Sequence, residues 1–185
     1  IKYELIPEQL IRKNICSESS FFAPAEISKE KVILTHQELY YDQLLALGLS
    51  KADQRQIGFP LSEALVKRER IIAQGSIQNT HYAIKYGVSM NIAGGTHHAF
   101  KDKPGAFCML NDQAIAANYL IEKKISKRIM IVDLDVHQGN GTASIFKHKK
   151  MVYTLSFHGQ KNYPFVKQKS DFDFCLLYTS DAADE

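Results

Sequence analysis

Arg128-Ile-Met-Ile-Val-Asp-Leu-Asp-Val-His-Gln-Gly-Asn-Gly141 is the stretch on which the fold turns. Arg128–Asp133 reads as a strand that is apolar on both faces, the pattern of a buried parallel strand. Along an extended strand, residues two apart point the same way. Asp133, Asp135 and His137 would then share one side, with Leu134 and Val136 on the other. Three ionisable residues at the end of an apolar strand are costly to bury unpaired, and a metal or hydrogen-bonded partners would offset that cost. Carboxylate oxygen and imidazole nitrogen are ordinary zinc donors. A plainer alternative makes these turn residues, with Asp capping the next helix and His solvated. Gly139-Asn140-Gly141 lets the chain turn sharply and approach a ligand closely, but it is also simply a good turn.

Outward from this stretch, helices alternate with apolar strand-like runs, which predicts an α/β fold: an open, mainly parallel sheet with helices on both faces. Upstream, Thr35-His-Gln-Glu38 fits a capping box opening a helix to about Leu47, with Leu44, Leu45 and Leu47 on its apolar face. After Pro60, a helix spans about Ser62–Ala73, Gly75 interrupts it, and it resumes to about Lys85 before Gly87. Val88–Ala93 reads as a short strand. Asn111 or Asp112 caps a helix to about Lys123. Downstream, a short helix runs to about His148, and Met151–Phe157 is the next strand. The polar residues of interest thus fall at strand C-terminal ends, where open α/β sheets bind ligands.

Gly94-Gly95-Thr96-His97-His98 follows the Val88–Ala93 run. Histidine titrates near neutral pH, where a general base works. A lone His-His pair also suits a surface loop. Sequential strands are usually neighbours, so the two clusters can converge. Asp135 and His137 could then hold a metal while Asp133 and Asn140 orient the histidines.

The 185 residues are 45% hydrophobic and 10% aromatic, a globular composition rather than a disordered one. No apolar run approaches the roughly 20 residues of a membrane span, and Ile1–Leu5 does not resemble a secretory leader. Cys16, Cys108 and Cys175 are scattered without a C-x-x-C pair, arguing against a zinc finger or disulfide scaffold and for a reducing compartment. A net charge of +3 does not point to direct nucleic-acid binding, and Lys147-His148-Lys149-Lys150 reads as a solvated helix end. No membrane partner is expected.

Three segments together resemble the histone deacetylase family: Ala93-Gly-Gly-Thr-His-His-Ala99, Ala106-Phe-Cys-Met-Leu-Asn-Asp112 and Val132–Gly141. Their order and spacing match, and the likeness covers most of Ile1–Phe174. Gln138 and Asn140 are similar to the class IV, type 11-like branch and bacterial relatives. The resemblance implies the arginase/deacetylase fold and a zinc-dependent amidohydrolase acting on acyl-lysine or acylated polyamines. Asp135 and His137 would be two of three zinc ligands, His98 the general base and His97 its electrostatic partner. Asp133 would pair with His97, and Asn140 would stand where some classes carry a second Asp. Phe107 and Tyr163, with Gly95, would line the acyl-lysine channel; read alone, both aromatics fit core packing. Asp133, Asp135, His137, Ser156 and Phe157 would resemble a potassium site. A cytoplasmic location is expected, or a nuclear one in a eukaryote.

Departures from the family pattern matter equally. Its third zinc ligand, a downstream Asp, and its oxyanion Tyr motif are absent, and Ala106 replaces a frequent Gly. Asp171 and Asp173 read as a surface turn, and Cys108 as a buried small residue. Cys175–Glu185 resembles a translated transposase sequencing adapter without helical or strand period. Residues 1–174 are therefore expected to be the N-terminal part of one catalytic domain, inactive by itself, and 175–185 an artefact. An arginase-like dinuclear hydrolase is disfavoured because a neutral Asn140 bridges metals poorly. A non-catalytic binding module stays open.

Overall fold

The computed structural model describes residues 2–177. Helices α1 (Lys2–Arg12), α2 (Lys29–Val32), α3 (Glu38–Leu45), α4 (Lys51–Ile57), α5 (Glu63–Tyr86) and α6 (Asp112–Glu122) precede strand β1 (Ile129–Asp133). Helix α7 (Asn140–Phe146) and strands β2 (Val152–Gly159) and β3 (Phe172–Leu176) follow. The described strands form one parallel sheet in the order β1-β2-β3, with Asp133 opposite Ser156 and Ser156 opposite Asp173. The fold is thus α/β with an open parallel sheet.

Helix α6 lies between two cores. Ile115 and Ala116 join a helical core with Tyr41, Leu44, Ile57, Val66, Ile77 and Met109. Ala114 and Ala117 pack with Ile131, Val152 and Phe146 against the sheet. Its N-terminus follows from sequence chemistry: the Asn111 side chain accepts the Ala114 N–H, closing one orphan donor of the first turn. Ser62 caps α5 in the same way through the Leu65 N–H.

Several sequence expectations change. Thr35 does not open α3; its hydroxyl donates to the Ala114 carbonyl inside the protein, and Gln37 occupies the cap position. Gly75 does not interrupt α5, which runs unbroken for 24 residues. A glycine inside a helix costs about 1 kcal/mol against alanine, but here it lies buried beside Pro24 and Asn91, where a larger residue would crowd. Val88–Ala93 forms no strand, because a strand needs a hydrogen-bonded neighbour and none of the described strands pairs with it. A cleft of about 720 Å³ opens there instead, lined by α1 and by Phe21, Phe22, Tyr82, Tyr86 and Met90. It contains none of the residues singled out for chemistry.

β1 was expected to bury both faces. Ile131 is buried, but Met130 and Val132 are 61% and 46% exposed, since α6 and α7 pack on the Ile131 face alone. Asp171 lies in an exposed bend, as expected, but Asp173 belongs to a strand. Asp171 accepts the backbone N–H and hydroxyl of Thr154, and Asp173 lies in β3. Cys175 and Leu176 complete β3 despite their lack of period, held by pairing with β2. Residues 178–185 of the expected artefact lie outside the described residues.

Two buried groups give the fold a pH dependence. His36 is 1% exposed, and its Nε2 accepts the Asn111 N–H. Burial pushes its pKa down to about 4, although the Phe100 and Lys101 carbonyls pull the other way. Between pH 6.5 and 4 the unfolded chain therefore binds the proton that folded His36 refuses, so stability is lost as pH falls through that window. The loss expected by pH 4 is on the order of 3 kcal/mol. Glu69, raised to about 7 by burial, works oppositely and loses its contribution as pH rises from about 4.5 through 7. Denaturant unfolding at pH 7 and pH 5 checks the His36 share. His36→Gln, which keeps an acceptor for Asn111, should flatten that part of the slope; an unaltered slope would contradict the assignment.

Candidate active site

β1 ends at Asp133, and Asp135 and His137 lie in the bend after it rather than on an extended strand. They come together through successive side-chain turns instead. Asp133 Oδ1 accepts the Asp135 N–H at 3.0 Å, and Asp135 Oδ1 accepts the His137 N–H at 2.7 Å. Short acidic side chains readily hydrogen-bond backbone two residues on. Asp135 Oδ1 also lies 2.9 Å from His137 Nδ1, and both side chains are about half exposed. Burial opposes ionisation of Asp135, but the His137 N–H and the charges of His97 and His137 hold its carboxyl below the usual range.

The histidine pair meets this bend from the opposite side. His97 Nδ1–H donates to Asp133 Oδ2 at 2.5 Å, and His98 Nδ1–H donates to Asn140 Oδ1 at 2.7 Å. Asn140 opens α7 directly after Gly139. Glycine is required at 139, since a Cβ there would run into the Asp133 carboxylate and crowd His97. Gly141 belongs to α7 and lies against the Ala99 carbonyl with no room for a side chain. The two histidine rings are 4.0 Å apart, yet their environments separate them. Burial opposes charge on His97, but the bond to Asp133 and the nearby carboxylates outweigh it and raise its pKa. Burial and the His97 charge push His98 down to about 4. His98 is therefore neutral at pH 7, with Nε2 carrying the lone pair.

Tyr163 completes the group, its ring centroid 4.9 Å from that of His98 and 6.4 Å from that of His137. The structure thus brings together His97, His98, Asp133, Asp135, His137, Asn140 and Tyr163. Phe107 stands apart from these contacts. It is 60% exposed, has φ of 61°, and packs its ring against Phe59 at 5.3 Å. The Gly95 N–H points to Asp112, and the Ser156 hydroxyl pairs with His158 Nδ1. Phe157 stacks on Phe174. Cys108 is buried, and burial pushes its thiol up to about 12, so it is no nucleophile.

Asp135 and His137 suit a zinc ion chemically, as one oxygen and one nitrogen donor 2.9 Å apart and about half exposed. Among the described residues no group of three or more His, Cys, Asp or Glu is placed to hold a metal.

A family model described as the histone deacetylase domain matches residues 1–174. The chain belongs to the histone deacetylase domain family. It is 37% identical over 175 residues to an uncharacterized protein of Picosynechococcus sp., covering 95% of this chain and 58% of that one. It is 26% identical over 162 residues to the acetoin utilization protein AcuC of Bacillus subtilis, covering 82% and 42% respectively. Among solved structures it resembles a histone deacetylase homologue from Aquifex aeolicus, with a TM-score of 0.73 and 26% identity. That match covers 86% of this chain and 48% of the other, and a structure complexed with SAHA matches to the same extent. The chain spans about half the length of these relatives.

Sequence reasoning missed two residues that organise this site. Gln138 is fully buried and ties the His137 bend to the Tyr163 segment. Its Nε2 donates to the Gln168 carbonyl and Asp173 Oδ1, its Oε1 accepts the Gln168 N–H, and its backbone N–H donates to the Tyr163 carbonyl. Asp112 is the other. A polar pair directly after the apolar run Ala106–Leu110 was the available signal for Asp112.

Proposed function

We propose that this chain is the N-terminal part of the catalytic domain of a zinc-dependent deacetylase that hydrolyses acyl groups from lysine side chains or similarly acylated amines, polyamines included. One observation carries the reading: a buried His98, its pKa pushed down to about 4, is oriented by Asn140 and flanked by a His97 bonded to Asp133, beside the Asp135–His137 donor pair. Asp135 and His137 would hold the metal, with a third ligand supplied by the remainder of the protein. Bound zinc would supply Lewis acidity toward the amide carbonyl and a bound water acidic near pH 7.

The chain's own residues have separable tasks. His98 Nε2 accepts the proton of the attacking water, and Asn140 fixes the tautomer that leaves this nitrogen basic. The proton then goes from the imidazolium to the departing amine. His97, whose bond to Asp133 favours its protonated form, would lend positive charge to the developing oxyanion when protonated. Tyr163 sets its ring edge-to-face with His98 and would form one wall of the acyl-lysine channel, to which Phe107 and Gly95 are also assigned. Gln138 and Asn140 favour a class IV-like or bacterial subtype. A potassium ion beside Asp133, Asp135, His137, Ser156 and Phe157 belongs to the same reading, as does a cytoplasmic location. Among the described residues no helix is long and apolar enough to cross a membrane. Residues 175–185 are proposed to be foreign to the natural protein.

The test is to resequence the source across Phe174 by an independent library method, express the full reading frame, and assay acetyl-lysine peptide turnover with zinc. Turnover supports the deacetylase. A reading frame that ends at Glu185, giving a folded product without turnover, supports the binding module instead.

A further inference from the structure

The Ala106–Asp112 segment ends in two polar residues whose role goes beyond capping α6. Asp112 is 1% exposed and Asn111 fully buried. The Asp112 carboxylate accepts hydrogen bonds from the Gly95 N–H at 3.1 Å, the Thr96 N–H at 2.8 Å and the Thr96 hydroxyl at 2.8 Å. The Ser76 hydroxyl of α5 donates to it as well. These contacts hold the backbone immediately before the histidine pair. Asn111 holds it on the other side: its Nδ2 donates to the Ala99 carbonyl at 3.2 Å, the Thr142 hydroxyl at 3.0 Å and, more weakly, the His97 carbonyl at 3.4 Å. The Thr142 N–H, on α7, donates to that same His97 carbonyl.

We infer that Asn111 and Asp112 are positioning residues that clamp the backbone on both sides of His97–His98 and so set where the two imidazoles stand. A clamp from both sides is what this pair requires. Gly95 has φ of 94° and no side chain to pack, and the loop's own bonds, such as the His97 N–H to the Gly95 carbonyl, are few and local. An ionised carboxylate accepting several N–H and O–H donors makes stronger bonds than a neutral amide would. A buried carboxylate left with those donors unpaired would be costly, so loop and clamp must order together. Ser76 and Thr142 extend the frame to α5 and α7, making the histidines part of a helix junction rather than a free loop.

The functional half of this inference rests on the deacetylase reading; the structural half does not. Two readouts therefore go together on the full-length protein: steady-state kinetics with an acetyl-lysine peptide, and amide hydrogen exchange at Gly95 and Thr96. In Asp112→Ala, exchange at those two amides should accelerate while the α6 amides keep their protection, because Asn111 still caps the helix. kcat should fall on the order of 10²-fold, the scale of a small misplacement of a reacting group, with KM little changed. Asp112→Asn retains an acceptor and should recover part of both, which also serves if the alanine variant does not fold. Asn111→Asp keeps the cap oxygen but loses the donor to Ala99 and should lower kcat similarly. Unchanged exchange at Gly95 and Thr96 in a folded Asp112→Ala protein would overturn the clamp. Accelerated exchange with unchanged kcat would overturn its positioning role. If the parent protein turns over no acylated amine at all, the deacetylase reading fails, and exchange alone still decides the clamp.

Discussion

Replacing His98 with alanine in the full-length protein is expected to lower kcat by on the order of 10²–10⁴-fold, the range that a positioned general base supplies. The reasoning rests on where its proton sits. Nδ1 is committed to Asn140 at 2.7 Å, which leaves Nε2 as the accepting nitrogen. Burial and the neighbouring His97 charge keep the ring neutral, so it is ready to take a proton at pH 7. Alanine removes that acceptor and an edge contact with the His137 ring but leaves the Asp135 and His137 donor atoms in place, so metal content should be unaltered. The check is paired: kcat with an acetyl-lysine peptide, and zinc stoichiometry by metal analysis. Unchanged kcat would remove the general-base role from His98. Lost zinc would mean that the residue is structural to the metal site.

Asp135→Ala is expected to abolish zinc binding in the same full-length protein. The affinity loss should exceed the roughly 10–100-fold that removal of an outer-shell partner costs, because a carboxylate donor itself disappears. It should also loosen the bend, since Asp135 Oδ1 accepts the His137 N–H and approaches its Nδ1. Asp135→Asn separates the two effects: an amide oxygen still accepts the backbone N–H, so the bend survives while the anionic donor is gone. Zinc occupancy measured after equilibration with limiting metal decides the matter. Full occupancy in both variants would contradict the ligand assignment.

Much of the fold was legible because its signals are local. The Asn111 cap of α6, the Ser62 start of α5 and the apolar runs of β1 and β2 each depend on a few consecutive residues. The failures share the opposite character. Val88–Ala93 has strand-like residues but no paired neighbour, and strand formation is a property of two segments. Gly75 looked like a break, yet the space beside Pro24 and Asn91 suits only a small residue, so α5 continues through it. No strand was expected around Asp171 and Asp173, read as a surface turn, and only the register of Phe172–Leu176 against Leu155–Gly159 makes it one. The open face carrying Met130 and Val132 is likewise invisible in an apolar run, because burial depends on which helices arrive.

The candidate site divides along the same line. The residue types, spacing and order of His97-His98 and Asp133-x-Asp135-x-His137, with the segment ending in Asn111-Asp112, were determined by the sequence alone, and with them the resemblance to the deacetylase family. Tertiary structure decided which atoms pair. Successive side-chain turns, rather than an extended strand, gather Asp135 and His137. It also decided that two adjacent, chemically identical histidines should have their pKa values shifted in opposite directions. His97 finds a carboxylate and His98 an amide, partners lying 36 and 42 residues away along the chain. Hydrogen bonding and desolvation depend on distance in space, and no periodicity in a sequence encodes which distant group closes to within 3 Å.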